Sequence, residues 1–167
     1  MIIDDRSSGR LDATNGASWR AISDTVMGGV SSGNLKPAVI EDRACLQLTG
    51  EVSLENNGGF VQASLDLNAS GLLDASSYTG IEIDVCGNGE TYNLHLRTDA
   101  TRIVWQSYRT SFQTQPHWQT LRLPFADFKP HRIDQQLDTR KLRRLGIVAI
   151  GREMRADICI GRLSLYR

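Results

Sequence analysis

From Leu46 to the C-terminus the apolar residues of this chain recur at a period close to two, and no stretch sustains a period of 3.6. Successive side chains of a strand point to opposite faces, so such alternation gives each segment one apolar and one polar side. Val61, Ala63, Leu65 and Leu67 alternate with Gln62, Ser64 and Asp66; Ile81, Ile83 and Val85 alternate with Glu82 and Asp84. After a Gly87-Asn88-Gly89 turn suited to a hairpin, Tyr92, Leu94 and Leu96 oppose Asn93, His95 and Arg97. Further strands are expected over 103–112, 118–123 (ended by Pro124), 144–151 and 158–166, with short ones at 2–3, 19–22 and 39–48. The segment 144–151 is apolar on both sides and reads as a central strand. Residues 125–142 read as the longest irregular segment, with a short helical turn near 138–144. About nine or ten strands and little helix define an all-β protein with two packed sheets.

Two loops stand out between these strands. One runs Ile22-Ser23-Asp24-Thr25-Val26-Met27-Gly28-Gly29-Val30-Ser31-Ser32-Gly33, and the other Asn56-Asn57-Gly58-Gly59-Phe60. Paired glycines let other groups approach the backbone closely, and Asp24 and Asn57 carry oxygens that fix loops through backbone amides. Asp24, Met27, Gly28, Gly29, Asn57, Gly58 and Gly59 are therefore candidate binding residues, as a lip bordering a sheet face; a tight corner capped by Asp24 is the structural alternative.

At 167 residues the sequence is expected to form one domain over 1–167, large enough for its own core. Nineteen basic residues balance nineteen acidic ones, which disfavours a nucleic-acid partner. The N-terminal stretch has neither a signal-peptide nor a transit pattern, and no apolar run approaches the roughly 20 residues of a membrane span. Cys45, Cys86 and Cys159 are odd in number, widely spaced and set in apolar runs, which fits reduced thiols and a cytoplasmic location.

If strands 60–67, 92–97 and 103–112 share a sheet, their polar sides gather Gln62, Ser64, Asn93, His95, Arg97, Gln106 and Tyr108. Guanidinium, amide and phenol groups together suit sugar hydroxyls, carboxylates or a partner's backbone, although any sandwich has polar outer faces. Of the three tryptophans, Trp105 is the candidate for an exposed platform, while Trp118 reads as core. No catalytic pattern is present: the histidines lack neighbours at zinc-ligand spacing, and neither a nucleophile elbow nor a phosphate loop occurs. No cofactor, no metal and no catalytic residue is expected. The basic residues Arg140, Lys141, Arg143 and Arg144, with Lys129 and Arg132, are interleaved with Asp127, Asp134 and Asp138 and read as a solvated face.

The two glycine loops also carry a likeness. Trp19 followed by Ser23-Asp24-Thr25-Val26-Met27-Gly28-Gly29-Val30-Ser31, then Leu48-Thr49-Gly50-Glu51-Val52-Ser53-Leu54-Glu55-Asn56-Asn57-Gly58-Gly59-Phe60, resembles the complex I intermediate-associated protein 30 family in wording and order. Matches continue at Tyr78 to Ile81, Gly87 to Tyr92, Leu96-Arg97, Tyr108 to Phe112, and Trp118 through Phe125. The resemblance implies a galactose-binding-domain-like jelly roll related to carbohydrate-binding modules. It further implies a binding module rather than an enzyme, with a role in assembling respiratory complex I through protein partners. A carbohydrate or small-ligand binder using Gln62, Arg97, Trp105 and Tyr108 is the alternative from another class.

Overall fold

The computed structural model describes residues 1–167, the side chains of Val26, Met27 and Asn57 excepted. Twelve strands form two antiparallel sheets. The first sheet has the order β3 (Ser32–Ile40), β4 (Arg43–Val52), β12 (Met154–Tyr166), β6 (Gly80–Cys86), β9 (Gln119–Pro124), with β1 (Ile2–Asp4) beside the end of β12. The second has the order β10 (Lys129–His131), β8 (Ser107–Gln113), β7 (Thr91–Thr98), β11 (Leu142–Ile150), β5 (Phe60–Asp66), β2 (Arg20–Ser23). The result is the expected two-sheet jelly-roll sandwich.

The alternation decides which side of each strand faces the core. Leu46, Leu48, Ile81, Ile83, Val85, Ile158 and Ile160 of the first sheet are fully buried with Val61, Ala63, Leu65, Leu94, Leu96, Leu145 and Ile147 of the second. Each large aliphatic side chain so buried contributes roughly 1.5–3 kcal/mol. Beyond Ile160 the pairing of β12 with β6 slips: Ile160 faces Val85, yet the next facing pair is Leu163 with Ile83. This bulge keeps Leu163 and Leu165 in the core along a thirteen-residue strand. The N-terminal segment is anchored by a buried ion pair. Asp4 holds Arg6 at 2.7 Å and accepts from Trp19 Nε1 at 2.8 Å, so Trp19 is a core residue.

Four expectations are corrected. The stretch 39–48 is not one strand, because Glu41 and Asp42 take φ of 50° and 61° and turn the chain between β3 and β4. A strand over 103–112 begins only at Ser107, since residues before it form a hydrogen-bonded loop. Within 125–142 lies β10, an edge strand that tolerates Pro130; no helix forms over 138–144, whose C-terminal part belongs to β11. Trp118 is half-buried on the outer side of the first sheet rather than in the core. Its ring lies against Gly161, its Nε1 donates to Ile40 O at 3.1 Å and the Arg43 guanidinium stacks 4.8 Å from its centre.

Candidate functional site

Strand register builds a groove on the outer face of the second sheet. Gly146 of β11 lies opposite Ser64 of β5 on one side and His95 of β7 on the other; Val148 lies opposite Gln62 and Asn93; His95 lies opposite Arg109 of β8. Residues directly opposite on antiparallel neighbours share a face, so these side chains converge. At the centre Gly146 supplies none. A Cβ there would stand 2.3 Å from Gln62 Oε1, so the glycine is what lets the Gln62 amide lie down on the sheet.

The connection from β7 to β8 folds back over one side of this floor. Thr98 N–H donates to Thr101 Oγ1 at 3.1 Å and Thr101 Oγ1 donates back to Thr98 O at 2.9 Å. Gln106 Oε1 accepts the amides of Arg102 and Ile103 at 2.9 and 3.2 Å, and the Arg97 guanidinium donates to the carbonyls of Thr101 and Val104 at 3.4 and 3.3 Å. So held, the loop displays Ile103, Val104 and Trp105, the last 50% exposed.

Two adjoining hollows of about 100 Å³ each result. The first is mixed, with Gln62, Ser64, His95, Arg97, Arg109 and Arg144 beside Ile22, Phe60 and Val104; the second is more apolar, gaining Trp105, Val148 and Ile150. They share Phe60, Gln62, His95, Val104 and Arg109, and no described carboxylate lines either. Arg144 is paired with Asp66 at 2.8 Å, whereas Arg97 is engaged by carbonyls and Arg109 by the Ser107 hydroxyl at 2.8 Å. Burial, then Arg144 and Arg143, lower the Arg97 pKa; burial, then Arg132, lower that of Arg109. Burial, then Arg109 and His131, push His95 down from its ordinary 6.5 to about 3, so the imidazole is neutral at physiological pH. Among the described residues, three side-chain atoms are buried without a hydrogen-bond partner: His95 Nε2 and Ser64 Oγ here, and Gln119 Oε1 on β9 of the first sheet. Each such group costs about 1–3 kcal/mol if left unpaired.

The model of the family described as complex I intermediate-associated protein 30 (CIA30) matches residues 10–160, nearly the whole chain. The chain belongs to that family. No curated protein matches it. Among solved structures it is similar to the family 11 carbohydrate-binding module of the cellulosomal cellulase Lic26A-Cel5E of Clostridium thermocellum, at 15% identity and a TM-score of 0.76, covering 99% of this chain and 93% of that one. The family 11 module from Clostridium thermocellum in complex with a β-1,3-1,4-mixed-linked tetrasaccharide superposes with a TM-score of 0.75 at 15% identity, covering 99% and 94%. A family 30 carbohydrate-binding module gives 0.65 at 16% identity, covering 88% and 82%. At such identities the likeness is one of fold.

This CIA30-family chain brings together Gln62, His95, Arg97 and Trp105 of the residues singled out from sequence. Tyr108 is a correction: it is fully buried beside Leu96, its hydroxyl donating to Gln135 O at 2.9 Å, because β8 turns Tyr108 and Phe112 inward. Arg109 takes the outward place instead. The signal for it was present, since two aromatics four residues apart in a strand belong to one apolar face. Gly146 was also missed, being an ordinary glycine in an apolar run.

The family's two glycine motifs form a clasp rather than a lip. Asp24 is fully buried and accepts from Ser31 N–H at 2.9 Å, Phe60 N–H at 3.1 Å, the Ser31 hydroxyl and Gly59 N–H. Burial alone raises its pKa, but these hydrogen bonds prevail and hold the carboxyl below the usual range. A Cβ at Gly29 would come within 2.4 Å of Asp24 Oδ1, and one at Gly58 within 2.6 Å of Oδ2. The glycines are needed because the backbone closes on this carboxylate, while Gly28 and Gly59 take φ of 85° and 141°. The oxygens of Asp24 are thus engaged within the protein, and among the described residues the two motifs reach the groove through Ile22 and Phe60. The side chains of Met27 and Asn57 lie outside the described residues.

Proposed function

We propose that this chain is a non-catalytic binding module that serves the assembly of a complex I-like respiratory complex, engaging a partner protein over the outer face of the second sheet. The observation that carries the reading is a single surface that joins buried, unpartnered polar atoms to an exposed apolar rim of Ile103, Val104 and Trp105. Unmet hydrogen-bonding groups beside desolvatable apolar area are what a partner completes. Membership of the CIA30 family supports complex I intermediates as that partner. Cys45 and Cys159, buried and free, support a cytoplasmic site of action. No described helix is long and apolar enough to cross a membrane.

Affinity capture from source-cell lysate tests this, with wild type beside a Trp105→Ala/Arg109→Gln variant of equal melting temperature. Wild type is expected to retain respiratory-complex subunits or their assembly intermediates, and the variant at least about tenfold less. Equal recovery by both places the interface elsewhere. A second reading, a carbohydrate-binding module, draws on the jelly-roll fold and on Trp105 beside Gln62 and Arg109. Saturable chemical-shift changes at these three residues with a neutral oligosaccharide would favour it.

A further inference from the structure

The two hollows differ in chemistry, and the difference specifies a ligand. The first holds three guanidiniums, of which only Arg144 is matched by a described carboxylate; the total charge of the chain is zero, so this is a local excess. Its floor offers Ser64 Oγ and His95 Nε2, both buried and unpartnered and both able to donate; a neutral imidazole carries one N–H. Ser64 is 1% exposed and lines the floor of the groove. Donors on the four adjacent strands β8, β7, β11 and β5, with only the Arg144-bound Asp66 as a carboxylate near them, form a receptor for an oxyanion. The adjoining hollow adds Val148, Ile150 and Trp105 to the shared Phe60 and Val104, and over these apolar walls sugar hydroxyls would have only Gln62, His95 and Arg109 to pair with. An aliphatic side chain fits it instead.

We infer that the groove captures a protein segment presenting a carboxylate side chain next to an apolar one, the carboxylate seated between Arg109, Ser64 and His95 and the apolar group under Trp105. This deepens the reading of a partner-binding module and rests on it. Arg97 is the positioning residue, tying down the loop that carries Val104 and Trp105. Gly146 keeps the floor open by letting the Gln62 amide lie flat.

The test uses short peptides and NMR. Acetyl-Glu-Leu-amide is titrated into the 15N,13C-labelled protein while the His95 ring and Ser64 amide signals are followed, with acetyl-Gln-Leu-amide, acetate and galacturonate in parallel. The glutamyl peptide is expected to shift both signals saturably, with at least about tenfold higher affinity than the glutaminyl peptide and with loss of that preference in Arg109→Gln. Gly146→Ala, which lifts the Gln62 amide over the floor without touching a charge, is expected to weaken the same peptide. Equal binding of the two peptides, or no change at His95 and Ser64, overturns the inference. Galacturonate binding there without the peptide overturns the peptide class and leaves an acidic sugar. Should Arg109→Gln alone still capture a respiratory subunit from lysate, this inference fails while the assembly reading stands.

Discussion

At the scale of single residues, the floor of the groove turns on His95. Arg109 from β8, His131 from β10, Arg97 on its own strand and Arg144 from β11 are the charged or titratable groups around it, with Asp66 at the edge of the face engaged by Arg144. Burial, then Arg109 and His131, keep the ring neutral in the folded protein, whereas the unfolded chain binds a proton at the ordinary pKa of 6.5. Between pH 6.5 and about 3 the unfolded state therefore holds the extra proton, and stability falls as the pH drops through that window. Melting temperatures at pH 7.5 and pH 5 are expected to differ more for wild type than for His95→Gln; equal differences would mean that the ring is not held neutral. His131 is shifted in the same direction and accounts for part of the slope left in the variant.

At the scale of elements, the clasp explains why two glycine pairs more than twenty residues apart occur together. Asp24 fixes the turn after β2 to the start of β5, and so fixes Phe60 at the end of the groove. Gly58→Ala is expected to cost about 1–3 kcal/mol by chemical denaturation, since its methyl meets a fixed carboxylate. In an Asp24→Ala background the same change should cost less, because the two nearest atoms are gone and only the 3.0 Å approach to Gly29 Cα is left; additive costs would contradict the clasp. Elements with clean alternation, β5, β6, β7 and the doubly apolar β11, were legible in the sequence. The β3–β4 hairpin was not, because Glu41-Asp42 turns the chain with positive φ without the Asn-Gly signature of such turns. At β8 a strand read back through Gln106 puts Tyr108 on the polar side with that amide, although Gln106 lies in the preceding loop and sets no phase, and this hides Arg109. Gln62, His95 and Arg97 were legible because their strands' phase was unambiguous, whereas the role of Gly146 depends on two neighbours that only pairing reveals.

For the molecule as a whole, the sandwich presents two outer faces of different character. That of the first sheet carries matched charges, such as Arg155 with Glu51, Arg122 with Glu82 and Arg43 with Asp84. That of the second concentrates cations, unmet donors and an apolar rim in one groove, fixed at one end by the clasp and along one side by the Arg97-held loop. The proposed partner-binding surface is this second face. It is tested most directly by site-specific photo-crosslinking in the source cell, with p-benzoylphenylalanine placed at Trp105 or, on the first sheet, at Glu51. A discrete adduct with a respiratory-complex subunit or assembly intermediate is expected from position 105 and none from position 51. An adduct from position 51 alone would contradict it.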